Sequence, residues 1–358
     1  MSQVMQNAET ATNNKVQATE RVTLEAEDED EECFFQDIYL LAEQGISVAD
    51  IEKMRAAGIN TVKGLQMTTS ANLLKLGAFD ADKVVTIQEA AHRISVTSRF
   101  MTALEVSEER QQVFKIPTGS TNFDNLLGGG VESMAVTQVF GEAGTGKTQI
   151  AHTLCVTAQL PVDGYSGGKV MYIDTEHTFR PERIRQVARR FSLDEKKVLE
   201  NVLYARAYNS EQQYELLKNV GAKFHEEVGL FKLLIVDSII ALFRVDFFGR
   251  GELVHRQQKL GQMMSLLQKM SEEYNIAVFI TNQISSDMKY SLLDVGLHDD
   301  AKPVGGNILA HASTTRVALK KVAGNVRIAM MYDSPELEER EEAFIITTGG
   351  IRDPKLPE

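Results

Sequence analysis

One segment of the chain has the residue types and spacing of a phosphate-binding loop. It reads Gly141-Glu142-Ala143-Gly144-Thr145-Gly146-Lys147-Thr148, matches G-x-x-x-x-G-K-[ST], follows an apolar run and precedes a helical stretch to about Gln159. The glycines let the backbone curl so that successive N–H groups point at phosphate oxygens. Lys147 is expected to reach the β- and γ-phosphates, Thr148 to bind Mg²⁺, and Gln149, with the loop, to hold the nucleotide. The segment predicts a site for ATP and magnesium.

A second apolar run supplies a carboxylate for the same site. Leu233–Val236 leads directly into Asp237, as a strand that holds magnesium through water should. Alone, an apolar strand that ends in aspartate is a weak signal. Together with the phosphate loop, it predicts Thr148 and Asp237 as the metal-binding pair.

Two more apolar runs end in residues that could act on a water molecule. One ends in Asp174-Thr175-Glu176, and Glu176 is the candidate general base; the alternative is an acid that caps the helix beginning near Pro181. The other ends in Asn282 and Gln283. Because ligands gather at the carboxyl ends of parallel strands, Lys147, Glu176 and Gln283 are the predicted catalytic set.

Elements of two kinds position these residues. From about residue 116, apolar β runs alternate with helical segments, which indicates a parallel α/β sheet covered on both faces. Three later runs lack long helices between them and predict an antiparallel extension at one edge. The β runs are Ala135–Phe140, Lys169–Asp174, Val202–Ala207, Leu233–Val236 and Ile276–Thr281, then Thr315–Leu319, Arg327–Met331 and Phe344–Thr348.

The part before this sheet divides into three further segments. Residues 1–32 predict a disordered acidic tail, 33–99 a helical domain with glycines between short helices, and 100–115 a linker to the 116–358 core. Ala57–Leu65 has the pattern of a helix-hairpin-helix turn. That turn either meets a DNA phosphate through its backbone N–H groups or belongs to a glycine-capped helical bundle without a ligand.

Composition narrows the class of protein. The net charge is −12, but residues 20–32 and 336–342 together carry −11 of it, so the remaining chain is close to neutral. Charge therefore neither supports nor excludes DNA as a partner. Cys33 and Cys155 match no disulfide or zinc pattern, which favours a reducing compartment. The sequence contains neither an apolar run long enough for a membrane span nor a signal peptide.

Beyond the phosphate loop, several stretches resemble the eukaryotic strand-exchange recombinases of the RecA superfamily, and most closely the meiotic branch. The resemblance covers roughly residues 33–353. It implies a RecA-type P-loop ATPase core with a small all-helical, helix-hairpin-helix-like N-terminal domain. The stretches are Phe34–Ile38, Gln66–Thr69, Asn201–Tyr208, Phe243–Glu252 and Gly305–Thr315.

The resemblance implies ATP between adjacent subunits of a homo-oligomeric filament or ring on single-stranded DNA, with homology search in duplex DNA. It further implies recombination mediator proteins as partners and a nuclear location. Residues are carried over by matching motif. Arg183 and Asp333 would contact the nucleotide, and Phe100, Ala103 and His311 would serve oligomerisation. A first DNA loop, about Arg244–Arg256, would contain Arg244, Phe247, Arg250 and Arg256, and a second, 284–304, would contain Lys302.

The chain also departs from the family pattern. Ala143-Gly144 stands where the family usually has Phe-Arg, and Glu338 stands where a proline is usual. The second DNA loop, 284–304, contains Asp294, Asp299 and Asp300, and like charges near DNA phosphates are unfavourable.

Three alternative classes of protein share the phosphate loop. A regulatory paralogue would mediate filament assembly without exchanging strands, but its expected signatures, a damaged ATP site or a missing N-terminal domain, are not seen. A RecA-core helicase motor fits poorly with Phe100 and Ala103 of the linker and with the arginines of the first DNA loop. A small-molecule kinase needs a lid and an acceptor pocket, which the sequence does not suggest.

Overall fold

A computed structural model describes residues 35–95, 100–162, 165–247, 249, 251–284 and 303–354. The predicted tail, residues 1–32, and most of the predicted second DNA loop lie outside this range. The chain forms two compact units, Met1–Ser98 and Arg99–Glu358. Among the described helices, none combines the length and apolarity that crossing a membrane requires.

Short capped helices build the first unit. A 3₁₀ helix, Ile38–Gln44, precedes α1 (Val48–Ala56), α2 (Val62–Gln66), α3 (Ser70–Lys75) and α4 (Ala81–Ile94). Each α-helix begins after a side chain that accepts a backbone N–H, for example Thr61 from Gly64 at 2.8 Å. Their apolar faces meet in one core that includes Ile38, Leu41, Ile51, Leu65 and Ile87.

A twisted sheet dominates the second unit. Its strands and a separate β1–β2 pair are β1 (Lys115–Ile116), β2 (Val131–Glu132), β3 (Ala135–Gly141), β4 (Lys169–Asp174), β5 (Val202–Arg206), β6 (Phe231–Asp237), β7 (Ala277–Asn282), β8 (Thr315–Lys321), β9 (Val326–Asp333), β10 (Glu341–Thr347) and β11 (Gly350–Arg352). The strand order in the sheet is β11-β10-β9-β8-β3-β7-β6-β4-β5, with parallel pairing from β8 to β5 and antiparallel pairing from β8 to β11.

Helices precede and connect these strands. The α-helices of this unit are α5 (Ala103–Glu109), α6 (Thr121–Leu126), α7 (Lys147–Thr157), α8 (Pro181–Arg190), α9 (Glu195–Glu200), α10 (Ser210–Glu226), α11 (Ala241–Asp246), α12 (Leu253–Glu273) and α13 (Gly306–Ala312). A 3₁₀ helix, Arg110–Gln112, follows α5.

The burial of the strands explains why the sequence pattern predicted them. β3 and β7 are buried at every position, and β6 at all but one, because neighbouring strands and helices cover both faces. β3 lies between β7 and β8 at the centre of the sheet. The predicted parallel sheet and its antiparallel extension are confirmed. Parallel pairing brings the carboxyl ends of β3, β4, β6 and β7 to the same edge.

Candidate functional site

The phosphate loop joins β3 to α7 and depends on two glycines for its shape. Gly146 precedes α7 with φ +106°, a conformation that residues with a Cβ rarely adopt. A Cβ at Gly141 would lie 2.4 Å from the carbonyl oxygen of Leu319 on β8, which is closer than atoms can pack. The loop therefore has space for backbone N–H groups to face a ligand, and α7 directs its N-terminus at the same point.

A cavity of about 940 Å³ opens at this edge of the sheet. Its lining includes the phosphate loop and the predicted residues Gln149, Glu176, Arg183, Asp237 and Gln283. Ile346, Thr347 and Thr348 from the end of β10 complete another wall. The structure thus brings the predicted catalytic, metal-binding and phosphate-loop residues into one site.

Lys147 and Asp237 are partly or fully withdrawn from solvent. The ammonium of Lys147 donates to the carbonyls of Gly141 and Glu142, each at 2.9 Å. Burial lowers the pKa of Lys147, and the negative charges of Asp237 and Glu176 oppose that shift. Burial raises the pKa of Asp237, while hydrogen bonds from Thr281, Tyr172 and Thr148 lower it.

Thr148 and Asp237 both line the cavity, and their side chains decide whether the site fits magnesium. A hydroxyl and a carboxylate converge beside the loop that would hold phosphate oxygens. Mg²⁺ in nucleotide sites takes oxygen ligands of this kind, together with substrate phosphates and waters. The residues present therefore fit a magnesium nucleotide.

The side chain of Glu176 is held by two donors. The hydroxyl of Ser238 donates to Oε1 at 2.7 Å, and the amide of Gln283 donates to the same oxygen at 2.9 Å. Ser238 is held in turn, because its backbone N–H donates to the hydroxyl of Thr175 at 2.8 Å. These contacts join the ends of β4, β6 and β7. Among the described residues, Oε2 of Glu176 accepts no hydrogen bond from the protein.

Asp174, not Glu176, caps the turn before α8. The carboxylate of Asp174 accepts from the backbone N–H groups of Glu176, Thr178 and Phe179 at 3.0–3.3 Å. The N-cap residue of α8, Arg180, makes no side-chain capping bond. The structure therefore gives no support to the capping alternative for Glu176.

Arg183 closes the opposite wall of the cavity. Its guanidinium donates to Oε1 of Gln149 at 2.7 Å, to the carbonyl of Thr348 at 2.6 Å, and to the carbonyl of Thr347. Burial lowers the pKa of Arg183. The arginine thus joins α8 to the end of β10, beside the phosphate loop.

Gln283 has a second contact that leads out of the cavity. Its carbonyl oxygen accepts from the guanidinium of Arg244 at 2.5 Å, and Arg244 is exposed in the last turn of α11. A continuous set of hydrogen bonds therefore runs from Ser238 through Glu176 and Gln283 to Arg244. Arg244 is the first residue of the predicted first DNA loop.

Two of the other predicted DNA residues, Phe247 and Arg256, are among the described residues. Phe247 stacks on Phe243 with ring centroids 6.0 Å apart, and Lys259 lies 5.3 Å from its ring. Arg256 lies in the first turn of α12, and its buried Nε has no hydrogen-bond partner among the described residues. Arg250 and Lys302 lie outside the described residues.

The predicted oligomerisation residues do not line the cavity, and neither does Asp333, which was predicted to contact the nucleotide. Phe100 and Ala103 are exposed, and Thr102 between them caps α5 through a reciprocal bond with Glu105. His311 is exposed on α13. Asp333 ends β9, where its carboxylate lies 3.7 Å from Arg316.

Two polar side chains of the site were not predicted from the sequence, and neither were the wall residues Ile284, Ile346, Thr347 and Thr348. Ser238 follows Asp237 directly, so an Asp-Ser pair at the end of an apolar strand was the available signal. Arg327 lines the cavity from β9, and nothing local in the sequence indicated this.

Comparison with known proteins identifies the family of the chain. The Rad51 family model matches residues 109–354. The Mus musculus and Homo sapiens proteins named "Meiotic recombination protein DMC1/LIM15 homolog" are each 60% identical over 91% of this chain and 96% of their own length. "Meiotic recombination protein DLH1" of Candida albicans is 52% identical over 87% of this chain and 96% of its own. These matches confirm the resemblance drawn from the motifs: the chain belongs to the Rad51 family.

Proposed function

We propose that this chain is an ATP-dependent recombinase that forms filaments on single-stranded DNA and exchanges strands with homologous duplex during meiosis. The observation that carries the proposal is the hydrogen-bonded path from Glu176 through Gln283 to Arg244. It connects the phosphate cavity to the first predicted DNA loop, in a chain similar to proteins named for meiotic recombination.

The residues of the cavity divide the work of ATP hydrolysis. Thr148 and Asp237 would hold Mg²⁺, which would supply positive charge to the phosphates of the bound nucleotide. Lys147 adds a second positive charge at the phosphate loop. Glu176 accepts a proton from the attacking water, and Ser238 and Gln283 fix the direction of its carboxylate.

DNA binding falls to the surface that Arg244 begins. Arg244, Phe247, Arg250 and Arg256 would meet the strand, because a guanidinium binds phosphate oxygens bidentately and an aromatic ring stacks on bases. Lys302 would contribute from the second loop. DNA that draws Arg244 away from Gln283 would free the Gln283 amide to move, and with it the group that orients Glu176.

Filament assembly has a physical basis in an open sheet edge. β5 is the last strand of the sheet, and Tyr204 and Tyr208 on or beside it are 43% and 66% exposed. An extended segment from another subunit can add to such an edge. We propose that Phe100 and Ala103 of a neighbouring subunit dock at this edge, with His311 and Asp333 facing the neighbour's nucleotide. Nuclear location and recombination mediators as partners follow from this function.

Strand exchange tests the proposal. The full chain, with ATP and Mg²⁺, should transfer a labelled strand from a homologous duplex to a matching single strand, and should leave a heterologous duplex intact. Lys147→Ala should abolish the transfer because it removes the cation at the phosphate loop. Unwinding of duplex regardless of homology would instead favour the helicase alternative. Binding of ATP and DNA without transfer would favour the mediator.

A further inference from the structure

Arg327 is a buried cation at the nucleotide cavity. It lies on β9, is only 8% exposed and lines the same cavity as Lys147. Its Nε donates to the carbonyl of Gly144 at 3.0 Å, and its Nη1 donates to the carbonyls of Gly324 and Val326 at 3.0 and 2.9 Å. All three acceptors are neutral.

The charge of Arg327 has no carboxylate partner among the described residues. Arginine is rarely buried without one, because removing an ion from water is costly unless an opposite charge compensates. The nitrogen Nη2 makes no hydrogen bond among the described residues. Arg183, the other cavity arginine, differs, because each of its three nitrogens donates to a protein oxygen.

A second cation beside the phosphate loop would stabilise the negative charge of a bound phosphate. Lys147 is the only basic residue in Gly141–Thr148. Gly144, at the bend of the loop, has φ +80° and no atom within 4 Å of the place where a Cβ would stand. The space beside the loop is therefore open, and Arg327 is bonded to the carbonyl of the same glycine.

We propose that Arg327 is a phosphate-binding residue of this nucleotide site, which supplies from β9 a positive charge that the loop itself lacks. Nη2 donates to a phosphate oxygen while Nε and Nη1 keep their bonds to the carbonyls of Gly144, Gly324 and Val326. The nucleotide then provides the anion that compensates a buried guanidinium. The inference rests on the proposed nucleotide-binding function and extends it to a residue far away in sequence.

ADP binding to the full chain without DNA tests this role. Arg327→Gln removes the charge but keeps an amide that can donate to a carbonyl, and should weaken ADP binding roughly 10- to 100-fold. Arg327→Lys keeps the charge and cannot reproduce the fork, and should recover most of that loss. Lys321→Met is the matched control, since Lys321 pairs with Arg327 in register from β8 but is exposed. It should bind ADP as the native chain does.

The lysine variant separates charge from structure. If Arg327 serves only to hold the Gly144 carbonyl, Arg327→Lys will bind ADP as weakly as Arg327→Gln, and the proposal is overturned. Unchanged binding by Arg327→Gln overturns it as well. Thermal melts without nucleotide verify folding, and Arg327→Met, which keeps apolar packing, replaces the glutamine variant if that one unfolds.

Salt gives an independent readout. The ADP affinity of the native chain should fall more steeply with ionic strength than that of Arg327→Gln, because one phosphate contact is missing in the variant. Equal slopes would contradict a direct ionic contact. Lys147→Ala identifies the level at which a failure occurs: if it weakens ADP binding and Arg327→Gln does not, only this inference fails. If neither does, the proposed nucleotide site fails.

Discussion

Replacing Glu176 by glutamine isolates the proton-accepting role of its carboxylate. Oε1 of Glu176 accepts from Ser238 at 2.7 Å and from Gln283 at 2.9 Å. A glutamine can place its own carbonyl oxygen at the same position and keep both bonds. The change therefore removes one negative charge and the ability to take a proton, with little change in the surrounding structure.

The size of the effect follows from that chemistry. A positioned general base contributes typically 10²- to 10⁴-fold, so turnover of ATP should fall by roughly that factor. Binding of ATP should be retained or become slightly tighter, because Glu176 contributes a negative charge close to Lys147 and the phosphates. Loss of turnover with retained binding is the signature expected of a catalytic group, rather than of a structural one.

Single-turnover release of phosphate, measured with saturating single-stranded DNA, gives the chemical step directly. Affinity for ATP is measured on the same preparations by equilibrium binding. Glu182→Gln is the control: it makes the same substitution at an exposed residue of α8 outside the cavity lining. Turnover within about threefold of native in Glu176→Gln would refute the assignment of the base, since that change is below the range for a general base.

Two further predictions concern assembly and stability. Phe100→Glu should disperse filaments into small species, as light scattering would show, because a fully exposed phenylalanine becomes a charge that the neighbour's apolar surface cannot pair; assembly at native size would reject the role of Phe100. Burial raises the pKa of Asp124 in the folded chain to about 6. Between about pH 4 and 6 the unfolded chain therefore loses this proton while the folded chain keeps it, and the free energy of unfolding falls as pH rises. Asp124→Asn keeps the acceptor for the Thr118 N–H and should be more stable by up to about 3 kcal/mol above pH 7, measured by denaturant melts; equal stability at pH 5 and 8 in both proteins would contradict this.

Much of the site could be predicted because its parts are local in sequence. The phosphate loop combines its glycines, Lys147 and Thr148 within eight residues. The apolar runs before Asp237 and Glu176 can be recognised in the sequence without knowing which strands lie beside them. The rule that ligands gather at the carboxyl ends of parallel strands then joined these pieces. The cavity contains all of them.

What could not be predicted depends on strand order. The Ser238–Glu176 bond exists because β6 pairs with β4, and the sequence does not state which strands are neighbours. Arg327 reaches the phosphate loop across 183 residues of sequence, through a sheet extended by antiparallel strands. The hydrogen bond between Arg244 and Gln283 likewise depends on α11 lying beside the end of β7.

The stimulation of ATP turnover by single-stranded DNA, measured in Gln283→Met, tests whether DNA at the first loop acts on the hydrolytic site through Gln283. Methionine fills a similar volume but neither donates to Glu176 nor accepts from Arg244, and Gln283 lines the cavity. This variant should still bind single-stranded DNA and ATP, while the ratio of turnover with DNA to turnover without it falls close to one. Stimulation equal to that of the native chain would contradict the claim that the DNA loop acts on the hydrolytic site through Gln283.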